Sequence, residues 1–251
     1  MLVTIVVGLA IGSFLNVVIA RLPEERGLGG RSACPRCDAA IAWYDNVPLL
    51  SFALLRARCR ACRAPISWRY PVVEGVTATL FAFSYQRFGP TPEFIVADVL
   101  LSALVAITAI DLAHQIIPDV ISLPGIGVGV VANLVTGRVP GVDALLGILV
   151  GGGIFWVIVE GSRRLMGREG MGGGDVKLGA MLGAFLGWKV ALVAMFISVL
   201  LGGALAAVLL SMNLTGRRDP MPFGPFLAVG GAIGLFWGDG LLAWYLGGFL
   251  S

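Results

Sequence analysis

The sequence predicts an all-α, polytopic membrane protein with about eight transmembrane helices and one polar loop. Of its 251 residues, 57% are hydrophobic and only 13% are charged, and the mean hydropathy is +0.90. Soluble domains carry about 25% charged residues, so this composition excludes a soluble globular enzyme and a disordered chain. Glycine, which is more frequent in membrane helices than in soluble ones, occurs 36 times. The net charge of +3 is too small to indicate nucleic-acid binding.

Eight apolar segments come close to the length of about 20 residues that a bilayer-spanning helix requires. They lie near 2–20, 72–88, 94–111, 120–136, 142–160, 176–187, 189–211 and 223–248. Segment 176–187 is short, and Gly179, Gly183 and Gly187 recur in it at every fourth residue. A stripe of small residues allows helix backbones to approach closely, so we interpret it as a packing surface.

Most basic residues lie in every second connection between the predicted spans, which places them on one side of the membrane. Nine arginines lie between residues 21 and 70. The other basic clusters are Arg163, Arg164, Arg168 and Lys177, and Arg217 and Arg218. Because basic residues accumulate in cytoplasmic loops, this pattern predicts a cytoplasmic loop at 21–70 and an N-terminus outside. The predicted organisation is a first transmembrane helix at 1–20, a cytoplasmic cysteine-rich loop at 21–70 and a transmembrane core at 71–251.

All four cysteines lie in the predicted cytoplasmic loop. They form two C-x-x-C pairs, Cys34 with Cys37 and Cys59 with Cys62. Four thiolates at this spacing are typical of a structural, zinc-ribbon-like site, which leaves no open position for a substrate. Disulfide pairing is the alternative, and a reducing cytoplasm disfavours it.

Two carboxylates are placed at predicted helix ends on the cytoplasmic side. Asp111 ends the span 94–111, and Asp175 follows Gly172-Gly173-Gly174 directly before the next span. Acidic residues within or at the ends of membrane spans are costly and indicate function. Two carboxylates at one membrane depth can share a proton, so that one acts as general base and the other as general acid. This pattern favours aspartic-protease chemistry.

Asp119 has two interpretations. It follows Pro118 and opens an apolar run, which predicts a helix N-cap. If the chain is helical from Asp111 through Gln115 to Asp119, the spacing of four also places all three on one face. Asp119 would then support the catalytic pair.

Two other classes of protein remain open at this point. A transporter uses buried acids such as Asp98 and Asp111 as proton relays, but it favours internal repeats, which this sequence lacks. A non-catalytic assembly scaffold would explain the glycine packing and the cysteine loop, but it requires no glycines beside Asp175.

Ordered motifs in the chain resemble the bacterial type IV prepilin peptidases. The N-terminal signature covers Gly12 to Pro23, and the double C-x-x-C loop follows with Trp43–Ser51 and Arg69–Glu74. The match continues through Asp111 to Asp119, Met171 to Leu178 and Pro222 to Phe226. The G-x-G-D element alone is weak, because presenilin-type proteases share it, but the ordered combination is specific.

The resemblance implies a G-x-G-D aspartic endopeptidase of the bacterial inner membrane. By motif position its catalytic residues are Asp111 and Asp175, supported by Gly172, Gly174, Lys177 and Asp119. Its substrates are prepilins or pseudopilins of type IV pilus or type II secretion systems. The basic leader is cleaved after a glycine at the cytoplasmic face, while the rest of the substrate stays in the lipid bilayer. The oligomeric state is left open.

The resemblance also implies N-methylation of the new N-terminal residue, usually Phe, with S-adenosylmethionine as methyl donor. The sequence has no G-x-G-x-x-G after a strand, so a Rossmann methyltransferase domain is not expected. Asn16, Glu74 and the segment around Trp43 are the candidate residues for this activity. Glu74 has an alternative interpretation, in which it neutralises Arg69 at the start of a helix.

Overall fold

The computed structural model describes residues 1–166, 172–214, 216 and 221–249. Arg168, Met171, Arg217 and Arg218 lie outside the described residues. The α-helices are α1 (Leu2–Arg21), α2 (Leu50–Leu54), α3 (Arg69–Phe88), α4 (Pro92–His114), α5 (Asp119–Thr136), α6 (Gly141–Met166), α7 (Gly173–Ser211) and α8 (Gly224–Phe249). Two short 3-10 helices occur at Leu22–Glu24 and Trp43–Asn46.

The predicted polytopic helical fold is confirmed. Six segments of the described chain are long and apolar enough to cross a bilayer: Leu2–Glu24, Pro92–His114, Asp119–Thr136, Gly141–Arg164, Gly173–Ser211 and Gly224–Gly247. The sequence divides the fifth of these into two spans, and its backbone is interrupted at Gly187, where φ is 74° and ψ is 163°. Dividing α7 there gives seven of the eight predicted segments, and α3 is a helix at the position of the remaining one but is not among these six.

The chain forms two compact units, Met1–Ala106 and Ile107–Ser251. In the first unit, α1 packs along α3 with almost no space between the backbones. A Cβ atom on Gly8 would lie 2.7 Å from Cα of Ala78, and one on Gly12 would lie 2.7 Å from Cα of Glu74. These two levels fix an antiparallel register, in which α1 ends and α3 begins next to the cysteine loop.

The first part of α7 is the core of the second unit. Every residue from Leu178 to Gly187 is buried, and α5, α6 and α8 all contact α7. Gly147 and Gly151 of α6 lie directly against Gly183 and Gly179 of α7, where backbone atoms of the partner helix occupy the place of a Cβ. The predicted packing role of the glycine stripe is therefore confirmed for Gly179 and Gly183.

Gly187 has a different role, because it interrupts α7. Its backbone conformation is one that side-chain-bearing residues almost never adopt. The break leaves the preceding carbonyl groups without intrahelical partners. Asn133 of α5, only 2% exposed, donates from Nδ2 to the carbonyl oxygens of Ala184 at 2.8 Å and Phe185 at 3.1 Å. A buried amide thus satisfies the broken end of the helix.

The glycine packing makes a prediction about stability. Gly183→Ala is expected to destabilise the protein by about 1–3 kcal/mol, because extra volume in a packed interior forces backbones apart. Gly153→Ala is the matched control in α6, since nothing lies within 4 Å of its Cβ position. Thermal unfolding of the purified proteins in detergent micelles measures the difference. Equal unfolding temperatures for the two variants would contradict the packing described.

Candidate active site

Asp111 is buried in the last turn of α4, with 5% of its surface exposed. Its Oδ2 atom accepts a hydrogen bond of 2.9 Å from the backbone N–H of Gly224, the first residue of α8. A Cβ atom on Gly224 would lie 2.6 Å from the same oxygen. The absence of a side chain at residue 224 therefore allows the N-terminus of α8 to bind the Asp111 carboxylate.

Asp175 is buried in the first turn of α7, with 6% of its surface exposed. The N-cap is Gly172, whose backbone forms a hydrogen bond with the Asp175 carboxylate. A carboxylate is favourable at this position because the helix dipole is positive there. Gly174, the residue before Asp175, packs against Ile117 just beyond the end of α4, so the start of α7 lies near the helix end that carries Asp111. Two neighbouring carboxyl groups in an apolar interior can hold one proton between them, as aspartic-protease chemistry requires.

The three glycines before Asp175 differ in how closely other atoms approach them. A Cβ atom on Gly174 would lie 2.8 Å from Cβ of Ile117, in the connection between α4 and α5. A Cβ atom on Gly172 would come no nearer than 3.7 Å to its neighbours, and Gly173 has open space. Gly174 is thus the position at the start of α7 where a side chain would not fit.

Asp119 is not a helix N-cap, so that interpretation is wrong. Pro118 occupies the N-cap of α5, Asp119 is the first helical residue, and no side chain caps this end. The shared face with Asp111 is wrong as well, because α4 ends at His114 and Gln115 has a φ of 55°. Instead, the Asp119 carboxylate accepts bonds of 2.6 and 2.7 Å from Lys177 Nζ. This ion pair joins α5 to the helix that carries Asp175.

The four cysteines of the first unit form one cluster. Their sulfur atoms all lie within 4.8 Å of one another, and all four thiols are free. Cys34 Sγ lies 3.8 Å from Cys62 Sγ, close to the sulfur separation of about 3.8 Å that follows from tetrahedral Zn–S bonds of about 2.3 Å. The donor set and its spacing therefore fit the predicted zinc site.

The two C-x-x-C segments adopt the same hairpin. Cys34 N–H donates to the Ala39 carbonyl at 3.0 Å, and Cys59 N–H donates to the Ala64 carbonyl at 2.8 Å. A left-handed residue follows each pair, Asp38 after Cys37 and Arg63 after Cys62. In the second hairpin the backbone amides of Cys62 and Ala61 lower the pKa of the Cys59 thiol to about 7. The backbone hydrogen bonds within each hairpin thus position its two cysteines.

The candidate methylation residues also come together in the first unit. Asn16 is 3% exposed and donates from Nδ2 to the Tyr70 carbonyl at 3.1 Å. Glu74 is 7% exposed, and its Oε2 accepts a bond of 2.8 Å from the backbone N–H of Leu49. Leu49 belongs to the loop segment that follows Trp43–Asn46. The alternative role of Glu74 is not supported, because no Arg69 nitrogen lies within ion-pair distance of it in the described chain.

A many-spanning helical membrane protein that buries two interacting carboxyl groups at helix ends has the arrangement of a membrane peptidase of the aspartic class. Comparison with known proteins agrees with this class. Residues 6–88 match the bacterial peptidase A24 N-terminal domain, and residues 99–207 match the type IV leader peptidase family. No solved structure matches the chain.

Curated relatives are similar over almost the whole chain. A prepilin leader peptidase/N-methyltransferase of Aeromonas hydrophila is 40% identical, covering 96% of this chain and 92% of the relative. One of Pseudomonas aeruginosa is 38% identical, covering 98% and 93%, and one of Myxococcus xanthus is 45% identical, covering 86% and 64%. The chain belongs to the type IV leader peptidase family, as its motifs indicate. Membership of an enzyme family removes the transporter and scaffold interpretations.

Gly224 and Leu49 are the two positions in these sites that sequence reasoning did not single out. Both act through backbone N–H groups, which carry no residue-specific signal. Gly224 lies within Pro222–Phe226, where a glycine between two prolines at the start of an apolar run was the available sign of a special backbone position. Leu49 has a φ of 58°, which its sequence does not indicate.

The contact between α8 and Asp111 predicts a loss of cleavage in Gly224→Ala. The added Cβ displaces the carboxylate or the amide, and we expect cleavage to fall by about 100-fold, the scale of a mispositioned reacting group. Gly240→Ala in the same helix is the control, because its Cβ position is open. Cleavage of a prepilin substrate in detergent micelles, at equal amounts of folded protein, gives the comparison. Equal rates for the two variants would show that the contact does not position Asp111.

Proposed function

We propose that this protein cleaves the leader peptides of prepilins or pseudopilins and then methylates the new N-terminus. The observation that carries the peptidase activity is the buried, interacting pair Asp111 and Asp175. Family membership and the shared name of the curated relatives support both activities. The substrate class follows from those relatives, whose names specify prepilin leaders.

In the proposed cleavage step, Asp111 and Asp175 share one proton. The ionised carboxylate accepts a proton from water, and the water oxygen attacks the carbonyl carbon of the scissile bond. The protonated carboxyl donates its proton to the leaving nitrogen, so that the C–N bond breaks to a free amine. The Gly224 amide holds one oxygen of Asp111 in place during this exchange. The Lys177–Asp119 ion pair supports the start of α7.

We propose a bacterial inner-membrane location with the N-terminus outside. The support is the distribution of basic residues, which favours the cytoplasm for the loop 21–70. Asp111 at the end of α4 and Asp175 at the start of α7 then lie at the cytoplasmic face. A basic leader remains on that side, while the apolar segment behind it stays in the lipid. The division into 1–20, 21–70 and 71–251 belongs to this same proposal.

We propose S-adenosylmethionine as the methyl donor for the second activity. The donor supplies an electrophilic methyl group, and the chain must supply acceptors for the amine and a base for its proton. Asn16 and Glu74 offer both, since the buried Asn16 Oδ1 atom has no partner among the described residues and Glu74 is a buried carboxylate. These residues therefore fit the role that the sequence assigns to them.

We propose that Cys34, Cys37, Cys59 and Cys62 hold a structural Zn²⁺ ion. Zinc would join the two hairpins of a segment that has little apolar core of its own. The segment between the hairpins contains Leu49, whose N–H binds Glu74. The metal would thus hold one wall of the methylation site in place, in a different unit from the aspartate pair.

The aspartate pair predicts a specific pattern of cleavage. Asp111→Asn and Asp175→Asn are each expected to reduce cleavage to background, because an amide neither accepts nor donates the required proton. The double variant is expected to be no worse than either single variant, since residues that act as a unit are not additive. Mass spectrometry of a co-expressed prepilin measures the cleaved fraction.

Asp119→Asn is the comparison, because its amide oxygen still accepts from Lys177, and substantial cleavage should remain. Loss of cleavage in Asp119→Asn at normal protein levels would contradict the choice of partners.

The cysteine cluster predicts that the two activities separate. Replacing all four cysteines by serine is expected to remove the metal and to reduce methylation more than cleavage, because the Leu49 contact to Glu74 is lost while the second unit is unchanged. Elemental analysis of the purified protein measures zinc, and mass spectrometry of the pilin N-terminus measures cleaved and methylated product. Equal loss of both activities, or a wild-type protein without metal, would contradict this arrangement.

A further inference from the structure

Asn16 presents a buried acceptor that nothing in the described protein uses. Its Nδ2 atom donates to the carbonyls of Gly12 at 3.3 Å and Tyr70 at 3.1 Å. These two bonds use both amide hydrogens, so they fix which end of the side chain is oxygen. Oδ1 is then left buried without a hydrogen-bond partner, in a residue that is 3% exposed. An unpaired buried acceptor costs free energy, so a ligand that supplied a donor to this atom would recover that cost.

Glu74 is a buried acid without a counterion in the described chain. Its donors are neutral: the Leu49 amide at 2.8 Å and the Ser13 hydroxyl. A carboxylate accepts about four hydrogen bonds, so this one has acceptor capacity left. Arg69, the nearest basic residue along α3, lies over the ring of Tyr70 instead, 5.3 Å from its centroid. A buried carboxyl group without a counterion either takes up a proton or pairs with a bound cation, so Glu74 can serve as a partner for a cation and as an acceptor of its proton.

The register of α1 and α3 brings Asn16 and Glu74 to neighbouring levels of the helix pair. Gly12 contacts the backbone of Glu74, and Asn16 contacts the Tyr70 carbonyl. Each helix advances by four residues between these contacts, so Asn16 and Glu74 occupy neighbouring levels about 6 Å apart along the helix axes. Gly12 and Asn16 are one turn apart on α1, so the side of α1 that contacts Glu74 also carries Asn16.

We propose that Asn16 and Glu74 form a binding site for a primary ammonium group. Such a group carries one positive charge and three N–H donors on a single atom, which matches a carboxylate next to a carbonyl oxygen. A sulfonium or quaternary ammonium carries the charge without the donors and would leave Oδ1 unpaired. A hard metal cation requires about six oxygen ligands, more than these two side chains supply. The inference rests on the proposed methylation, because both participants in that reaction contain a primary amine.

The site has a clear use if the ammonium group is the new N-terminus of the cleaved substrate. An ammonium nitrogen has no free electron pair, so it must lose a proton before it can form a bond to carbon. Glu74 accepts that proton, and the freed pair then bonds to the donor's methyl carbon. The methyl–sulfur bond breaks with its electrons passing to sulfur, and Glu74 later releases its proton to water. Asn16 Oδ1 holds the amine by a second hydrogen.

Binding measurements test the site without relying on turnover. The probes are a synthetic peptide with a free N-terminal Phe, the same peptide N-acetylated, and S-adenosylhomocysteine, each titrated into protein in detergent micelles. The variants are Glu74→Gln, whose amide oxygen still accepts from Leu49, and Asn16→Leu, which removes the acceptor at similar volume. Glu93→Gln is the control, an acid of the same unit in the first turn of α4.

The wild-type protein and Glu93→Gln are expected to bind the free-amine peptide about tenfold more tightly than the acetylated peptide, the scale of one charge-assisted hydrogen bond. Glu74→Gln and Asn16→Leu should lose that preference while binding S-adenosylhomocysteine as before. If these variants instead lose about tenfold in affinity for S-adenosylhomocysteine and keep the peptide preference, the site holds the ammonium group of the methyl donor.

Unchanged affinity for both ligands in both folded variants would overturn the site. A wild-type protein that prefers the free amine but transfers no methyl group would refute the proposed methylation and leave the ammonium site standing.

Discussion

Direct backbone packing between α6 and α7 is the contact on which the second unit depends. Gly147 and Gly151 lie against Gly183 and Gly179, and any side chain there would separate the helices. Because the helices touch, the first part of α7 is enclosed by α5, α6 and α8. Enclosure is also what buries Asp175 at the start of that segment. The burial of Asp175 therefore depends on residues that have no side chain at all.

The first unit uses the same physical device for a different result. Gly8 and Gly12 bring α1 onto the backbone of α3, and this register brings polar groups of both helices to neighbouring levels. The buried amide of Asn16 and the buried carboxyl group of Glu74 lie at these levels, and Leu49 of the cysteine loop donates its backbone N–H to Glu74. In both units, then, glycine on one helix determines how close a polar group on another can come.

The sequence was sufficient for features that depend on local pattern and insufficient for those that depend on backbone contacts. Apolar length placed the helices, and two C-x-x-C pairs were enough to predict the cysteine cluster. The error at Asp119 came from extending a helix through Ile117 and Pro118, although a residue before proline disfavours helical backbone. The Gly224 amide reaches Asp111 across 113 positions of the chain, and no spacing rule operates over that distance. Such contacts exist only after the helices have packed.

The break at Gly187 leaves the enclosed segment of α7 unusually short. From Gly173 to Gly187 the helix rises about 21 Å, whereas the hydrocarbon core of a bilayer is about 30 Å thick. Such a hydrophobic mismatch would thin the bilayer around a lipid-exposed helix. Here the neighbouring helices cover the segment, so the difference between its length and the bilayer thickness is accommodated within the protein. Asp175 at its start, only 6% exposed, is therefore enclosed by protein and not by lipid.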